Sequence, residues 1–510
     1  MCAEFFESTR LAHMPAVDCQ NASNLLSFFH VITFHSSTNS IFSVTMMKLI
    51  PPTTPPPLDP DFRPAALANQ AFRQAALAAG GAPLVIALER THGAVSRYDT
   101  TVFPEDHPRA GENLFYVERL VKFLLWQRGG WKISICGPKA IGEHIRHLYA
   151  PDGERAFDYR FMGEKVYRRP FTVEVCDAGG APAAHEISQP LGRNLDGYRI
   201  GFDLGASDVK VSAVIDGRPV FSEEKVWEPV EQADPAYHYR RIMAALKEAA
   251  SHLPRVDAIG GSSAGVYVDN QPRVASLYRG IPDARFDDIR TMFQRIQREF
   301  GVPLEVVNDG EVTALAGSMS LNVNAILGIA MGSSEAVGYV NRQGAITDWL
   351  NELAFAPVDY APVAPVDEWS GDRGVGALYF SQQAVFRLAP RVGLTPQGDT
   401  KAARLKSIQK HLEAGHEGAR RIWETIGVYL GYALAHYADF YDIENVLILG
   451  RVTSGSGGPT ILETAQALIA REFPELSRIA IQLPDEKSRR VGQSIAAASL
   501  PASRISAESL

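Results

Sequence analysis

One stretch constrains the fold more than any other: Ile200-Gly201-Phe202-Asp203-Leu204-Gly205-Ala206-Ser207-Asp208-Val209-Lys210-Val211. It reads as an apolar strand ending at Asp203, a small-residue turn at Gly205-Ala206-Ser207, and a second strand running on to Ile215. Asp216-Gly217 supplies a hairpin turn, and Pro219-Val220-Phe221 opens a third strand. A carboxylate at a strand end beside such a turn can hold hydrated Mg²⁺ near phosphates that approach the turn's N–H groups. An ordinary hairpin with an exposed Asp has the same local pattern, so the order of the motifs further along the chain decides between them.

A chain of 510 residues is too long for one ordinary core, and two or three domains are expected. With 46% hydrophobic and 21% charged residues it has a soluble globular composition, and a net charge of -8 gives nucleic-acid binding no support. Cys2, Cys19, Cys136 and Cys176 are scattered singly, so neither a zinc knuckle nor a disulfide framework is expected, and a reducing cytoplasm fits. Residues 20–47 contain no Asp, Glu, Lys or Arg. Their apolar run Leu25–Ile32 is short, interrupted and without a basic flank, so no membrane anchor or signal peptide is expected. Translation from Met46 or Met47 accounts for it better, which makes 1–64 a disordered or mis-called extension.

Proline-rich Pro51–Pro60 reads as an extended lead-in, and Ala65–Ala79 as a helix closed by Gly80-Gly81. The strands Leu84–Leu88, Val95–Tyr98, Lys132–Cys136 and Phe171–Val175 alternate with the helices Tyr116–Trp126 and Ala140–Tyr149. They define a small α/β domain over 65–180, with no helix-turn-helix pattern. A linker at 181–196 leads to a first larger domain, 197–321, completed by a C-terminal helix at 490–500, and to a second, 322–489. Within the first, a strand enters the loop Gly261–Gly265, and Leu304–Val307 ends at Asn308-Asp309 before a helix. In the second, Ala325–Ala330 runs into Met331-Gly332-Ser333-Ser334, and Asn445–Leu449 runs into Gly450.

Two halves, each opening with a strand hairpin around a Gly/Ser turn, suggest similar domains clasping a nucleotide. From 198 to 500 the chain resembles the ROK (repressor, open reading frame, kinase) family of the actin, hexokinase and heat-shock ATPase superfamily. The resemblance implies an α/β fold with two actin-like, ribonuclease H-like domains around a nucleotide cleft, preceded here by the small α/β domain. Asp203-Leu204-Gly205-Ala206-Ser207 stands at the first phosphate loop, Gly261–Gly265 at the sugar-side loop and Asn308-Asp309 at the N-D motif. Gly332-Ser333-Ser334 stands at the second phosphate loop and Leu449-Gly450 at the loop over adenosine. The implied activity is an ATP- and Mg²⁺-dependent sugar kinase, with Asp309 as general base and Gly265, Asn308 and Glu352 on the sugar. Gly205, Ala206, Ser207, Gly332, Ser333, Ser334 and Gly450 would line ATP, and Asp203 would hold Mg²⁺ through water. An N-cap role is the plain alternative for Asp309.

Departures from the family pattern bear on the acceptor. Glu352-Leu353-Ala354-Phe355 keeps the sugar-contacting glutamate but puts Phe355 where the family has its zinc-binding histidine. In 368–377, Glu368, Ser370 and Val375 replace the zinc cysteines and Ala377 the second sugar glutamate, so no zinc is expected. Asp372 and Arg373 read as solvated surface charges, and Ala206 replaces a glycine of the first loop. The expected partner is a small-molecule sugar, with neither nucleic acid nor membrane, and a homodimer is left open. Two alternatives to a sugar kinase remain: a non-enzymatic sugar-sensing regulator on the same fold, and a kinase for another acceptor class.

Overall fold

The computed structural model describes residues 47–186, 191–484 and 488–502, of which 488–491 by backbone alone. The apolar run that motivates a later start lies outside the described residues.

The N-terminal sheet contains β1 (Ala82–Glu89), β2 (Val95–Val102), β3 (Lys132–Cys136) and β4 (Thr172–Cys176), in the order β2-β1-β3-β4. Helices α1 (Ala65–Ala78), α2 (Glu112–Arg128) and α3 (Lys139–Leu148) accompany it. The first lobe holds β5 (Tyr198–Leu204), β6 (Asp208–Ile215), β7 (Arg218–Val226), β8 (Ala258–Ser263), the short pair β9 (Val266–Val268) and β10 (Gln271–Val274), and β11 (Leu304–Asn308). Its main sheet has the order β11-β8-β5-β6-β7, with β5, β8 and β11 parallel and β6 and β7 antiparallel. The second lobe has β12 (Ile326–Met331), β13 (Glu335–Val340), β14 (Asn445–Leu449) and β15 (Ala480–Gln482), ordered β13-β12-β14-β15. Again the hairpin is antiparallel and the later strands are parallel. Both sheets follow the ribonuclease H order, the second lobe lacking the third antiparallel strand. Two such lobes facing across a cleft define the actin-like fold.

The helix Ser488–Ala498 crosses the first lobe's sheet at close range. A Cβ at Gly201 would lie 1.9 Å from the Ser494 carbonyl oxygen, and one at Gly260 1.6 Å from that of Ala497. Only glycine on the sheet admits that approach.

The N-terminal elements are expected to form a separate domain, but they share one continuous core with the second lobe. Phe123 packs on Phe440 at 4.2 Å between ring centroids, Trp126 on Phe355 at 4.5 Å, and Phe62 on Tyr429 at 4.9 Å. Helix α2 is the physical reason. It is buried on nearly every face, its carboxylates, cations and amide included, so it behaves as an internal helix whose charges are all paired, Arg119 with its own Glu118 and Lys122 with Asp158.

The extension expected over 1–64 needs a correction in its described part, 47–64. Met47, Leu58 and Phe62 are core residues. Buried Asp59 accepts hydrogen bonds from Arg387 (2.9 Å), Arg391 (3.3 Å) and the Tyr429 hydroxyl. Proline gives this segment its extended course, and the pockets it fills give it order. The linker is likewise tied where it is described: His185 bridges to Val95, Leu191 bridges to Ile346, and Glu186 pairs with Arg90 at 2.7 Å. Cys136 and Cys176, expected to stay single, meet at one register position of the parallel β3–β4 pair and form a disulfide. Forty residues separate them in sequence, and spacing alone does not reveal a strand register. Among the described residues no helix is long and apolar enough to cross a membrane.

Candidate active site

In the first lobe the parallel strands β5, β8 and β11 deliver Asp203, Ser263 and Asn308 to one edge of the sheet, where ligands of open α/β sheets bind. Asp203 is 8% exposed. Its Oδ1 accepts from the Ser262 hydroxyl at 2.6 Å, and Lys210 Nζ stands 3.7 Å from Oδ2. Burial raises its pKa against the opposing pull of Ser262 and Lys210. Gly265 has φ 116°, and a Cβ there would meet the Val274 carbonyl oxygen at 2.3 Å. Its own carbonyl accepts from Asn308 Nδ2 at 2.7 Å, while Asn308 Oδ1 accepts from the Gly310 N–H at 2.7 Å. The cap of the helix Asp309–Leu321 is therefore Asn308, and Asp309, the alternative considered from sequence, is its first residue. Burial pushes the Asp309 carboxyl up to about 6, and the charge of Asp203 adds to the shift.

Across the cleft, the turn between β12 and β13 carries Gly332-Ser333-Ser334, closed by Gly332 N–H to the Ser334 carbonyl at 3.0 Å. Glu352 is placed by the N-terminal elements. Its N–H donates to the Trp126 carbonyl at 2.9 Å, and that of Asn351 to the Gln127 carbonyl at 2.8 Å. These carbonyls belong to the last turn of α2, which has no partners within its own helix. Beneath them, Glu311 accepts from Asn351 Nδ2 at 2.5 Å and from the Tyr339 N–H at 3.2 Å. Burial pushes Glu311 up to about 8 and raises Glu352, the latter with help from the charge of Asp309.

Three cavities follow one another through the cleft. A largely apolar one of about 330 Å³ is lined by Ala316, Leu321, Leu449, Gly450 and Thr313. A second of about 140 Å³, which also touches Thr313, holds Asn308, Asp309, Ser333, Ser334, Glu335 and Glu352. The third, about 430 Å³, shares Gly265, Asn308 and Glu352 with the second and reaches Arg90, His92, Tyr167 and Trp349. Thus Gly265, Asn308, Asp309, Glu352, Gly332, Ser333 and Ser334 come together, and Gly450 stands one cavity further on. Asp203, Gly205, Ala206 and Ser207 line none of the three. Their turn is held as a hairpin by Gly205 N–H to the Asp208 carbonyl at 2.9 Å and by Trp227 Nε1–H to the Gly205 carbonyl at 2.8 Å, with Ala206 and Ser207 exposed.

The segment 368–377 also needs correction. Asp372 is 4% exposed, not a solvated charge. It faces Arg155 at 3.0 Å, Arg119 at 3.2 Å and Lys122 at 3.8 Å, while Glu118 pairs with both arginines. Burial opposes its ionisation, but these three cations hold its carboxyl far below the usual range. This charge cluster fastens the segment to α2. At two of the positions that the resemblance assigns to zinc ligands, Phe355 and Val375 are buried and carry no donor atom.

Sequence reasoning missed Glu335, Lys210 and the contribution of α2. Glu335 offers no signal by alternation, because its strand is buried at every position but Ala336 and so carries no period that would mark one acidic residue as internal.

No family model matches the chain, and no curated protein does. Solved structures do. A ROK hexokinase from Thermus thermophilus is 18% identical, with a TM-score of 0.45 over 59% of this chain and 98% of that one. A ROK family transcriptional regulator, a homolog of the E. coli MLC protein, is 18% identical, with a TM-score of 0.48 over 60% of this chain and 79% of that one. A ROK family glucokinase from Streptomyces griseus, solved with glucose and AMPPNP, is 17% identical, with a TM-score of 0.40 over 59% and 99%. The fold is defined by the strand orders themselves, and these likenesses assign no residue a role.

Proposed function

We propose that the protein is an ATP- and Mg²⁺-dependent kinase of ROK type that phosphorylates a hydroxyl of a sugar or sugar-like acceptor. One observation carries the reading: the cavities are linked in succession by shared residues, with an apolar chamber first, Asp309 and the serine turn next, and a larger chamber of mixed polarity last. Adenosine suits the first, the transferred phosphoryl group the second and the acceptor the third. In the transfer, the acceptor oxygen bonds to the γ-phosphorus as the bond from that phosphorus to the β-bridging oxygen breaks. The acceptor proton passes to an Asp309 oxygen, and ADP departs with the displaced electron pair. Asn308 orients the acceptor, its position fixed from both sides by Gly265 and Gly310. Gly332, Ser333 and Ser334 offer N–H and hydroxyl donors to phosphate. Asp203 fits a cation held through water, as a carboxylate near enough to Asp309 to raise its pKa; that cation would neutralise phosphate charge. Incubation with ATP, Mg²⁺ and a carbohydrate panel should form ADP with at least one acceptor.

A second reading, a sugar sensor without turnover, is favoured by the position of Gly205, Ala206 and Ser207 outside the phosphate cavity. Binding of ATP and sugar with no ADP formed on any acceptor would establish it.

A further inference from the structure

The central cavity has an unusual charge balance. Asp309, Glu335 and Glu352 all line it, and no Lys, Arg or His does. In the adjoining acceptor cavity the two basic residues are already engaged, Arg90 with Glu186 and Asp348, and His92 with Asp269. Glu335 is 3% exposed, yet neither of its carboxyl oxygens bonds to any protein group. The charge of Glu352 works against its ionisation, and Glu335 in turn acts on the Tyr437 hydroxyl, which is also without a protein partner. The fold nevertheless makes room for this carboxyl. At Gly376 a Cβ would come within 2.1 Å of Glu335 Oε2, so a side chain there would displace it. Burying a carboxyl with no partner is costly unless a ligand supplies one.

We propose that Glu335 in the central cavity, with Glu352, which lines both that cavity and the acceptor cavity, forms a subsite for a cationic amine reaching in from the acceptor, so that the preferred substrates are amino sugars with a free ammonium group. This rests on the kinase reading and narrows it. An ammonium offers three donors and one positive charge, which match two unpaired oxygens and a surplus of carboxylates. A neutral sugar hydroxyl offers one donor and no charge.

The test measures binding and ATP-dependent turnover of the full chain with glucosamine, galactosamine and mannosamine against glucose, galactose and mannose. At least one amino sugar should bind about thirtyfold or more tightly than its neutral parent, the scale of a buried charge pair. Glu335→Gln should erase most of that ratio, weakening the amine far more than the neutral sugar. Glu335→Met should do the same while leaving thermal stability unchanged or higher, because it removes an unpartnered buried carboxyl. A purely structural role would instead lower stability and leave the ratio intact. Equal binding of both sugar classes by the wild-type protein overturns the amine subsite and leaves the kinase standing. Binding of none of these six overturns the amine subsite, and ADP formation on no member of the wider carbohydrate panel overturns the kinase as well.

Discussion

The N–H of Glu352 donates to the carbonyl of Trp126, so a residue on the acceptor cavity hangs from the end of a helix that precedes both lobes. The N-terminal elements thereby become part of the architecture of the candidate site. Trp126→Ala should cost about 3–5 kcal/mol of stability through the cavity it leaves against Phe355 and Phe161. The same variant should raise KM for the acceptor more than KM for ATP. Urea unfolding together with two-substrate kinetics checks this, and equal changes in both KM values would contradict it.

Asp309→Ala should lower kcat by about 10²–10⁴-fold, the usual share of a general base. Its melting temperature should stay near that of the wild type, because Asn308 caps the helix. In the wild type, kcat/KM should rise with pH through about 6 as the carboxyl loses its proton. A pH profile lacking that limb would remove the assignment.

Asp372→Asn leaves Arg119, Arg155 and Lys122 with one counter-charge fewer, the arginines keeping Glu118 and the lysine keeping Asp158. The expected loss is about 1.5–3 kcal/mol, the scale of a charged hydrogen bond, measured by denaturant titration. Because the folded-state pKa is depressed, the contribution of this carboxylate is present at neutral pH and is lost only as pH falls far below the ordinary carboxylate range.

Glu311 and Glu335 have the opposite sign. Burial raises both from 4.5 to about 8, so the folded state holds more protons than the unfolded one between those limits. Stability should therefore fall as pH rises from about 4.5 towards 8. Glu311→Gln, which preserves the shape and an acceptor for Tyr339, should flatten part of that slope in a series of melting curves.

Gly450 adopts φ 99°, and a Cβ there would sit 2.5 Å from the Met331 carbonyl oxygen. Gly450→Ala should displace the loop from the apolar cavity and raise KM for ATP about tenfold or more, with the acceptor KM little changed. Nucleotide titration monitored by calorimetry gives the direct reading.

How legible the fold and site were in the sequence depended on range. Asp203, Asn308-Asp309 and Gly332-Ser333-Ser334 stand at strand ends next to small residues; local pattern marked them as candidates, and only their order along the chain and the family resemblance attached an expected role to each. Asp372 was misread because Asp-Arg in a Gly-rich segment looks solvated until the cations of α2 are brought to it from more than two hundred residues away. The shared core was hidden for the same reason. Helix α2 has a recognisable period, but nothing local says that its polar face is also covered. The Cys136–Cys176 pair likewise needed a strand register to appear.

The close passage of Ser494 and Ala497 over Gly201 and Gly260 has a consequence for synthesis. During translation the first lobe's sheet leaves the ribosome long before the helix that covers it. Until residues 488–498 emerge, one face of β5 and β8 has no cover, and the glycines there leave bare backbone in place of side chains. The N-terminal elements and the second lobe already have most of their mutual core by then. The lobe carrying Asp203 and Asp309 should therefore be the last to become protease-resistant on a nascent chain, although it is encoded before the second lobe.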